Sequence, residues 1–383
     1  MNPEIQKVLN GESEGAIVCG DCLKVMAGMP DGCVDAVVTD PPYGLKFMGK
    51  AWDHGVPGEP FWREALRVAK PGCMLLAFGG DRTHHRLMVA IEDAGWEIRT
   101  CIYWVFGSGF PKSLDISKAI DKAAGAKREA VPMVRCDGKI QHHKDGGGCF
   151  QASKEYLHHP VPITDAARQW SGWGTALKPA AEIIILAMKP LDGTFAHNAL
   201  THGVAGLNVD GCRVGVGGRV PGGGKSKRGD KGGGIYGTGQ AEKNARPHQQ
   251  GRWPANLILD EQAGAELDRQ SGVSTSPGKV TRGGNRQQAF GMQKQDGVEC
   301  PSDTGGASRF FYCSKASRKD RNEGCGGLKE KQYSHDGRKT PIENAYQRNK
   351  SVAKNNHATV KPTDLMAYLC RLVTPPGGVI LDM

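Results

Sequence analysis

The chain of 383 residues has no apolar run approaching the ~20 residues that a membrane-spanning helix needs. Its opening stretch, Met1 to Asn10, has no secretory core. These absences point to the cytoplasm, so the twelve cysteines are not read as a disulfide framework. Paired C-x-x-C units are also lacking. Cys19-x-x-Cys22 stands alone, and neither Cys136, His142, His143 and Cys149 nor Cys300, Cys313 and Cys325 has ribbon or finger spacing. No metal is expected. Gly224-Lys225-Ser226 lacks the glycine that a phosphate loop needs five residues earlier, where Arg219 stands. That excludes an ATP site.

What is present is a basic balance. Fifty Lys and Arg face forty Asp and Glu, a net charge of +10. An isoelectric point near 9.0 suits a polyanionic partner, although an ordinary basic protein has the same balance. A mean hydropathy of −0.45 describes a chain with a water-compatible surface. The length suffices for two domains and a sizeable core.

The organising stretch is Val37-Val38-Thr39-Asp40-Pro41-Pro42-Tyr43-Gly44. Its β-branched run, preceded by Val34-Asp35-Ala36, reads as a buried strand. Pro41 and Pro42 carry no N–H and fix φ, so the ladder stops at Asp40 and a stiff loop follows. In open α/β sheets ligands bind beyond such carboxyl ends. The loop offers a carboxylate, a carbonyl and an aromatic face. Together these can hold a planar base by its exocyclic amine, with Tyr43 stacked on the ring. A plain turn, with Asp40 as turn former and Tyr43 as packing, uses the same residues.

Around this stretch strands and helices alternate. Ala16 to Cys19 is a short strand candidate before Gly20-Asp21, and Leu23 to Met29 fits a helix. Phe61 to Val68 and Leu87 to Ala94 are further helices; Met74 to Phe78, Ile98 to Phe106 and Glu182 to Ala187 are strands. A helix candidate runs from Leu114 to Ala124. From residue 190 to about 352 glycine and basic residues dominate, and Arg219, Lys225, Lys227 and Arg228 are candidates for tracking phosphates. Within that region Arg252 to Leu259 and Arg309 to Cys313 are ordered, aromatic islands, read as small-core packing, with stacking on or wedging into DNA as the other reading. Leu365 to Val373 forms a helix face, entered with Thr363 as N-cap and Asp364 in the first turn. Pro375-Pro376-Gly377-Gly378 then turns into a strand, Val379 to Asp382.

The Asp-Pro-Pro-Tyr loop resembles the signature of DNA amino-methyltransferases that modify adenine N6 or cytosine N4 with S-adenosylmethionine. Asn356-His357-Ala358-Thr359-Val360-Lys361-Pro362-Thr363 is similar to the family's motif for the methionine end of the cofactor, and both islands look like segments of its phage members. The order, with Asp-Pro-Pro-Tyr first, is that of a permuted class. The likeness covers residues 15–107, 178–190 and 353–383 well. It implies an α/β fold: a doubly wound, mostly parallel Rossmann-like sheet with large irregular inserts.

The implied division is a catalytic core at 15–107, an insert at 108–178, and a last sheet strand at 179–190 hairpin-paired with the strand near Ile102. A Gly-rich basic insert for target recognition spans 191–352, and a cofactor motif spans 353–383. By resemblance Asp40, Pro41, Pro42 and Tyr43 are catalytic, while Asp21, Thr359, Lys361, Pro362 and Asp382 hold S-adenosylmethionine. The implied partner is double-stranded DNA, and Asp at the first loop position is typical of adenine enzymes in the family. The family pattern also continues beyond Val379–Asp382 into a glycine loop, a helix and a strand ending in an acid. None of these lies within the 383 residues. The sheet is accordingly expected to lack its C-terminal part and the cofactor pocket to be partial. The chain alone is then expected neither to bind the cofactor tightly nor to methylate DNA. A complementing polypeptide, a homodimer, a split enzyme or an inactive DNA-binding remnant are the arrangements that go with this expectation.

Overall fold

The computed structural model describes residues 1–45, 53–107, 109, 113–128, 131–132, 157–158, 161–215, 251–276, 279–280, 298–299, 303–314, 324–329, 331–332, 352–353, 355 and 360–383. Two compact units emerge: residues 1–107, 181–323 and 359–383 in one, residues 108–180 and 324–358 in the other. The helices in chain order are α1 (Pro3–Leu9), α2 (Cys22–Ala27), α3 (Glu59–Val68), α4 (His84–Asp93) and α5 (Ile116–Ala123). They continue as α6 (Asp165–Gln169), α7 (Phe195–Thr201), α8 (Glu261–Ser271) and α9 (Thr363–Val373).

The first unit is built on seven strands: β1 (Val34–Thr39), β2 (Ala69–Gly79), β3 (Glu97–Val105), β4 (Ala181–Met188), β5 (Leu257–Asp260), β6 (Tyr312–Ser314) and β7 (Ile380–Leu381). They lie side by side in the order β6-β5-β3-β4-β2-β1-β7. Strand β4 runs antiparallel to both neighbours, and every other pairing is parallel. This is the expected α/β sheet, and β4 pairs with β3 through Ile102 as expected.

Continuous apolar runs in the sequence become strands covered on both faces, as parallel sheets require. All six residues of β1 are buried. Alternation sorts them: Val37, Leu75 and Ala77 pack with Met26, Trp62, Leu87, Ile91 and Trp96 on the side of α2, α3 and α4. Val38, Leu76 and Phe78 pack with Ile184, Leu365, Leu369 and Leu372 on the side of α9. Each large apolar side chain buried in this way contributes roughly 1.5–3 kcal/mol. The two indoles keep their N–H groups bonded: Trp62 Nε1 donates to the Pro57 carbonyl at 3.0 Å, and Trp96 Nε1 to the Trp62 carbonyl at 2.9 Å.

Three expectations are corrected. Ala16 to Cys19 does not form a strand, and Ile17 is fully exposed. Strand β7 pairs with β1, and among the described residues nothing pairs with 16–19. A four-residue apolar run stays extended in a sheet only if a neighbour takes up its N–H and C=O groups. The two islands are not satellite packing: residues 257–260 and 312–314 extend the main sheet beyond β3 as parallel strands. Finally, Pro362 is the N-cap residue of α9, with Thr363 already helical and no side-chain cap.

In the second unit, α5 and α6 meet around Asp121, which is 1% exposed. Its carboxylate accepts from the Ile163 and Thr164 amides at 3.0 Å each, the Thr164 hydroxyl at 2.8 Å and Arg128 Nε at 2.6 Å. Burial pushes this carboxyl up, but the hydrogen bonds outweigh it and hold the group well below its usual range.

Candidate active site

The parallel strands end at one edge of the sheet, and β4, running the other way, begins there. Register places this: Thr39 of β1 is level with Ala77 of β2, and Ala77 with Ile185 of β4. The start of β4 therefore lies beside the loop that leaves β1. Four side chains meet at this place.

Lys361, on the residue before the Pro362 cap of α9, is 9% exposed at its side chain. Its ammonium lies 3.1 Å from Asp40 Oδ2 and 2.9 Å from Glu182 Oε2, and it donates to the Tyr43 hydroxyl at 3.0 Å. The Tyr43 hydroxyl in turn donates to Asp40 Oδ1 at 2.8 Å and lies 3.3 Å from Glu182 Oε2. The ammonium also stands over the Phe78 and Tyr43 rings, 4.8 and 5.3 Å from their centroids. Loss of water around the Tyr43 phenol, and then the charges of Glu182 and Asp40, push its pKa upward. The phenol thus stays neutral and keeps a proton to donate.

The loop is fixed from both sides. Thr83 donates its hydroxyl to the Tyr43 carbonyl at 2.6 Å, and buried Asp53 accepts from the Gly44 and Leu45 amides at 2.7 and 3.2 Å. Gly44 has φ +68°, and a Cβ there would come within 2.9 Å of the Gly55 backbone, so the turn requires glycine. Pro41 is buried and Pro42 half-buried. Asp40 thus sits on a rigid support with its side chain 30% exposed.

Asp382, just past β7, lies close enough to feel the charge of Asp40. Loss of water around its carboxyl raises the pKa first, the Asp40 charge raises it further, and a Thr39 hydrogen bond opposes both. A carboxyl raised on folding favours the folded state in its protonated form. Stability should therefore fall as pH rises from ~3.9 through the raised value. Asp382→Asn is accordingly expected to be more stable than the wild type at pH 7, with the difference shrinking toward pH 4. Denaturant titrations at the two pH values measure it, and an equal difference at both would rule out the carboxylate as its source.

The structure thus brings together Asp40, Tyr43 and Lys361, with Asp382 near them. Pro362 is buried as the N-cap of α9. Asp21 is not in the cluster: exposed, it caps α2 by accepting from the Leu23 amide at 3.0 Å. Thr359, Arg219, Lys225, Lys227 and Arg228 lie outside the described residues. Glu182 was missed from sequence. Its signal was an acid opening an apolar strand, which gains meaning only once that strand is known to run antiparallel.

No protein-family pattern matches the chain. Among curated proteins, the proposed methylase YubD of Escherichia coli (strain K12) is 33% identical over 87 residues, in a match that covers 21% of this chain and 37% of YubD. The chain spans about half the length of the solved structures it resembles. One is a proposed DNA modification methylase from Thermus thermophilus, 18% identical, covering 45% of this chain and 51% of that one at a TM-score of 0.23. The same Thermus protein has been solved with S-adenosyl-L-methionine, at a TM-score of 0.22. Another is the M1.HpyAVI–SAM complex, 13% identical, covering 45% of this chain and 54% of that one at 0.21.

Proposed function

We propose that this chain is part of an S-adenosylmethionine-dependent DNA methyltransferase of the amino type, directed at the N6 amine of adenine. The observation that carries the reading is the Asp40 carboxylate, held on the Pro-Pro turn at the carboxyl edge of the sheet by Lys361 and Tyr43. The partial identity with YubD supports the methylase assignment.

The donor set fits a cationic methyl donor. Among the described residues three carboxylates, those of Asp40, Glu182 and Asp382, stand against the ammonium of Lys361, which favours positive charge at this edge. When bound, the cofactor supplies a methyl group on a cationic sulfur; Asp382 would hold it, with Thr359 and Lys361 of the resembling motif. Asp40 accepts a hydrogen bond from the amine of a base swung out of the duplex, since an amine inside the stack is unreachable. The Pro41 carbonyl serves as second acceptor. Two acceptors on the amine hydrogens turn the nitrogen lone pair toward the methyl group, and positioning carries the rate. Tyr43, bonded through its hydroxyl, aligns Asp40 and offers its ring to the base. Basic segments, including Arg219, Lys225, Lys227 and Arg228, would neutralise phosphates of double-stranded DNA.

Nucleoside digestion of DNA from cells carrying the gene in place, beside DNA from cells lacking it, tests the reading. N6-methyladenine is expected only where the gene is present. N4-methylcytosine alone would keep the methyltransferase and overturn the choice of base, and no change in either nucleoside would overturn the function.

A further inference from the structure

We propose that Asp192, His197 and His202 form a binding site for a single divalent transition metal of the zinc class. One ligand atom from each of the three lies within 4.8 Å of the others. His202 Nε2 is 3.3 Å and His197 Nε2 is 3.6 Å from Asp192 Oδ2. Zinc holds imidazole nitrogen and carboxylate oxygen at ~2.0–2.2 Å, so neighbouring ligands of a tetrahedral ion sit roughly 3.3–3.5 Å apart. Both imidazole nitrogens already stand near that separation from the carboxylate oxygen, and the two nitrogens lie within 4.8 Å of each other, so closure on an ion asks the imidazoles to turn toward one another.

The surroundings are built to keep them there. Buried Asn198 donates Nδ2 to the Asp192 and Thr194 carbonyls at 2.6 and 2.9 Å, and its Oδ1 accepts from the Asp192 amide at 3.1 Å. The residue carrying the carboxylate is therefore locked to α7, the helix carrying His197. Gly193, at φ +79°, makes the turn between them. The Thr201 hydroxyl lies 3.5 Å from His197 Nδ1, which leaves Nε2 as the atom turned to Asp192. Outer partners of this kind orient metal-ligating imidazoles. Two imidazoles and one carboxylate select zinc, cobalt, nickel or copper over magnesium or calcium. Three protein ligands leave a fourth position open to water.

The site is separate from the proposed active site. It follows the far end of β4, whereas Glu182 opens that strand at the edge holding Asp40. An ion here ties the loop after β4 to α7 and is expected to act structurally.

Isothermal calorimetry of the metal-free full chain with zinc chloride, and visible absorption with cobalt chloride, test the proposal. One ion per chain should bind with the cobalt d–d bands of nitrogen and oxygen ligation. Binding of that ion should be lost in His202→Ala and in Asp192→Asn, and weakened roughly tenfold in Thr201→Val. Cysteine sites elsewhere would instead add thiolate charge-transfer bands in the near ultraviolet. Circular dichroism checks folding; if His202→Ala does not fold, half-exposed His197→Ala gives the same readout. No zinc or cobalt uptake, uptake unchanged in the histidine variants, or thiolate bands alone would each overturn the site.

Discussion

Replacing Asp40 with alanine in place in the gene is expected to lower DNA methylation by roughly a hundredfold or more, the scale on which a single preorganised polar group acts on a reacting centre. The carboxylate is the group on the loop that faces the edge, and the proposed chemistry uses it to hold the amine. Alanine leaves the Pro-Pro turn, the Asp53 and Thr83 ties and the Gly44 conformation in place, so the loop should keep its path. DNA binding rests on phosphate contacts and should change little. Methylated nucleoside per genome is the measurement, with electrophoretic DNA binding of the purified variant beside it. A variant retaining more than about a tenth of the wild-type level would remove Asp40 from the mechanism.

Lys361→Met is expected to weaken both fold and activity. Methionine keeps most of the stem's volume over Phe78 but takes away the charge between Asp40 and Glu182. Two partly buried carboxylates and the Tyr43 hydroxyl then face one another without a cation. Leaving such groups unpartnered costs about 1–3 kcal/mol, toward the lower end here because both carboxylates keep some contact with water. Urea titrations of both proteins at pH 7, with Lys361→Arg beside them, measure this. A deficit as large in Lys361→Arg, which keeps the charge, would assign the loss to packing rather than charge.

Some of this site is legible in residues adjacent in sequence. The proline pair after Asp40 ends the strand wherever the strand lies, because neither proline can donate to a ladder. The apolar runs at 74–78 and 182–187 become strands lying mostly buried in the sheet, and the run at 98–106 becomes a strand with only Ile102 buried. The motif around Lys361 also drew attention to a residue that the fold brings to Asp40. Its partners were another matter: Lys361 holds Asp40 and Glu182, and Glu182 lies 179 positions earlier in the chain, the difference between 361 and 182.

Pairing decided the rest. A run of apolar residues states that a segment wants burial, but not which neighbour will supply its hydrogen bonds. Ala16 to Cys19 has the composition of a strand and stays outside the sheet, while Leu257–Asp260 and Tyr312–Ser314 join it by docking in turn beside β3. Strand direction came only through the family likeness, which implied a hairpin of β4 with β3 and said nothing of the acid that opens it. Because β4 runs against its neighbours, the acid at its start reaches the edge where the others end, and Glu182 enters the site. The carboxylate and two imidazoles at 192, 197 and 202 meet through one left-handed glycine and one buried asparagine, which no helical periodicity would reveal. Local sequence determined where strands stop and which side chains carry chemistry. Which of those side chains meet was set by the ladder of long-range hydrogen bonds, whose partners are chosen by the competition of every segment for the same core.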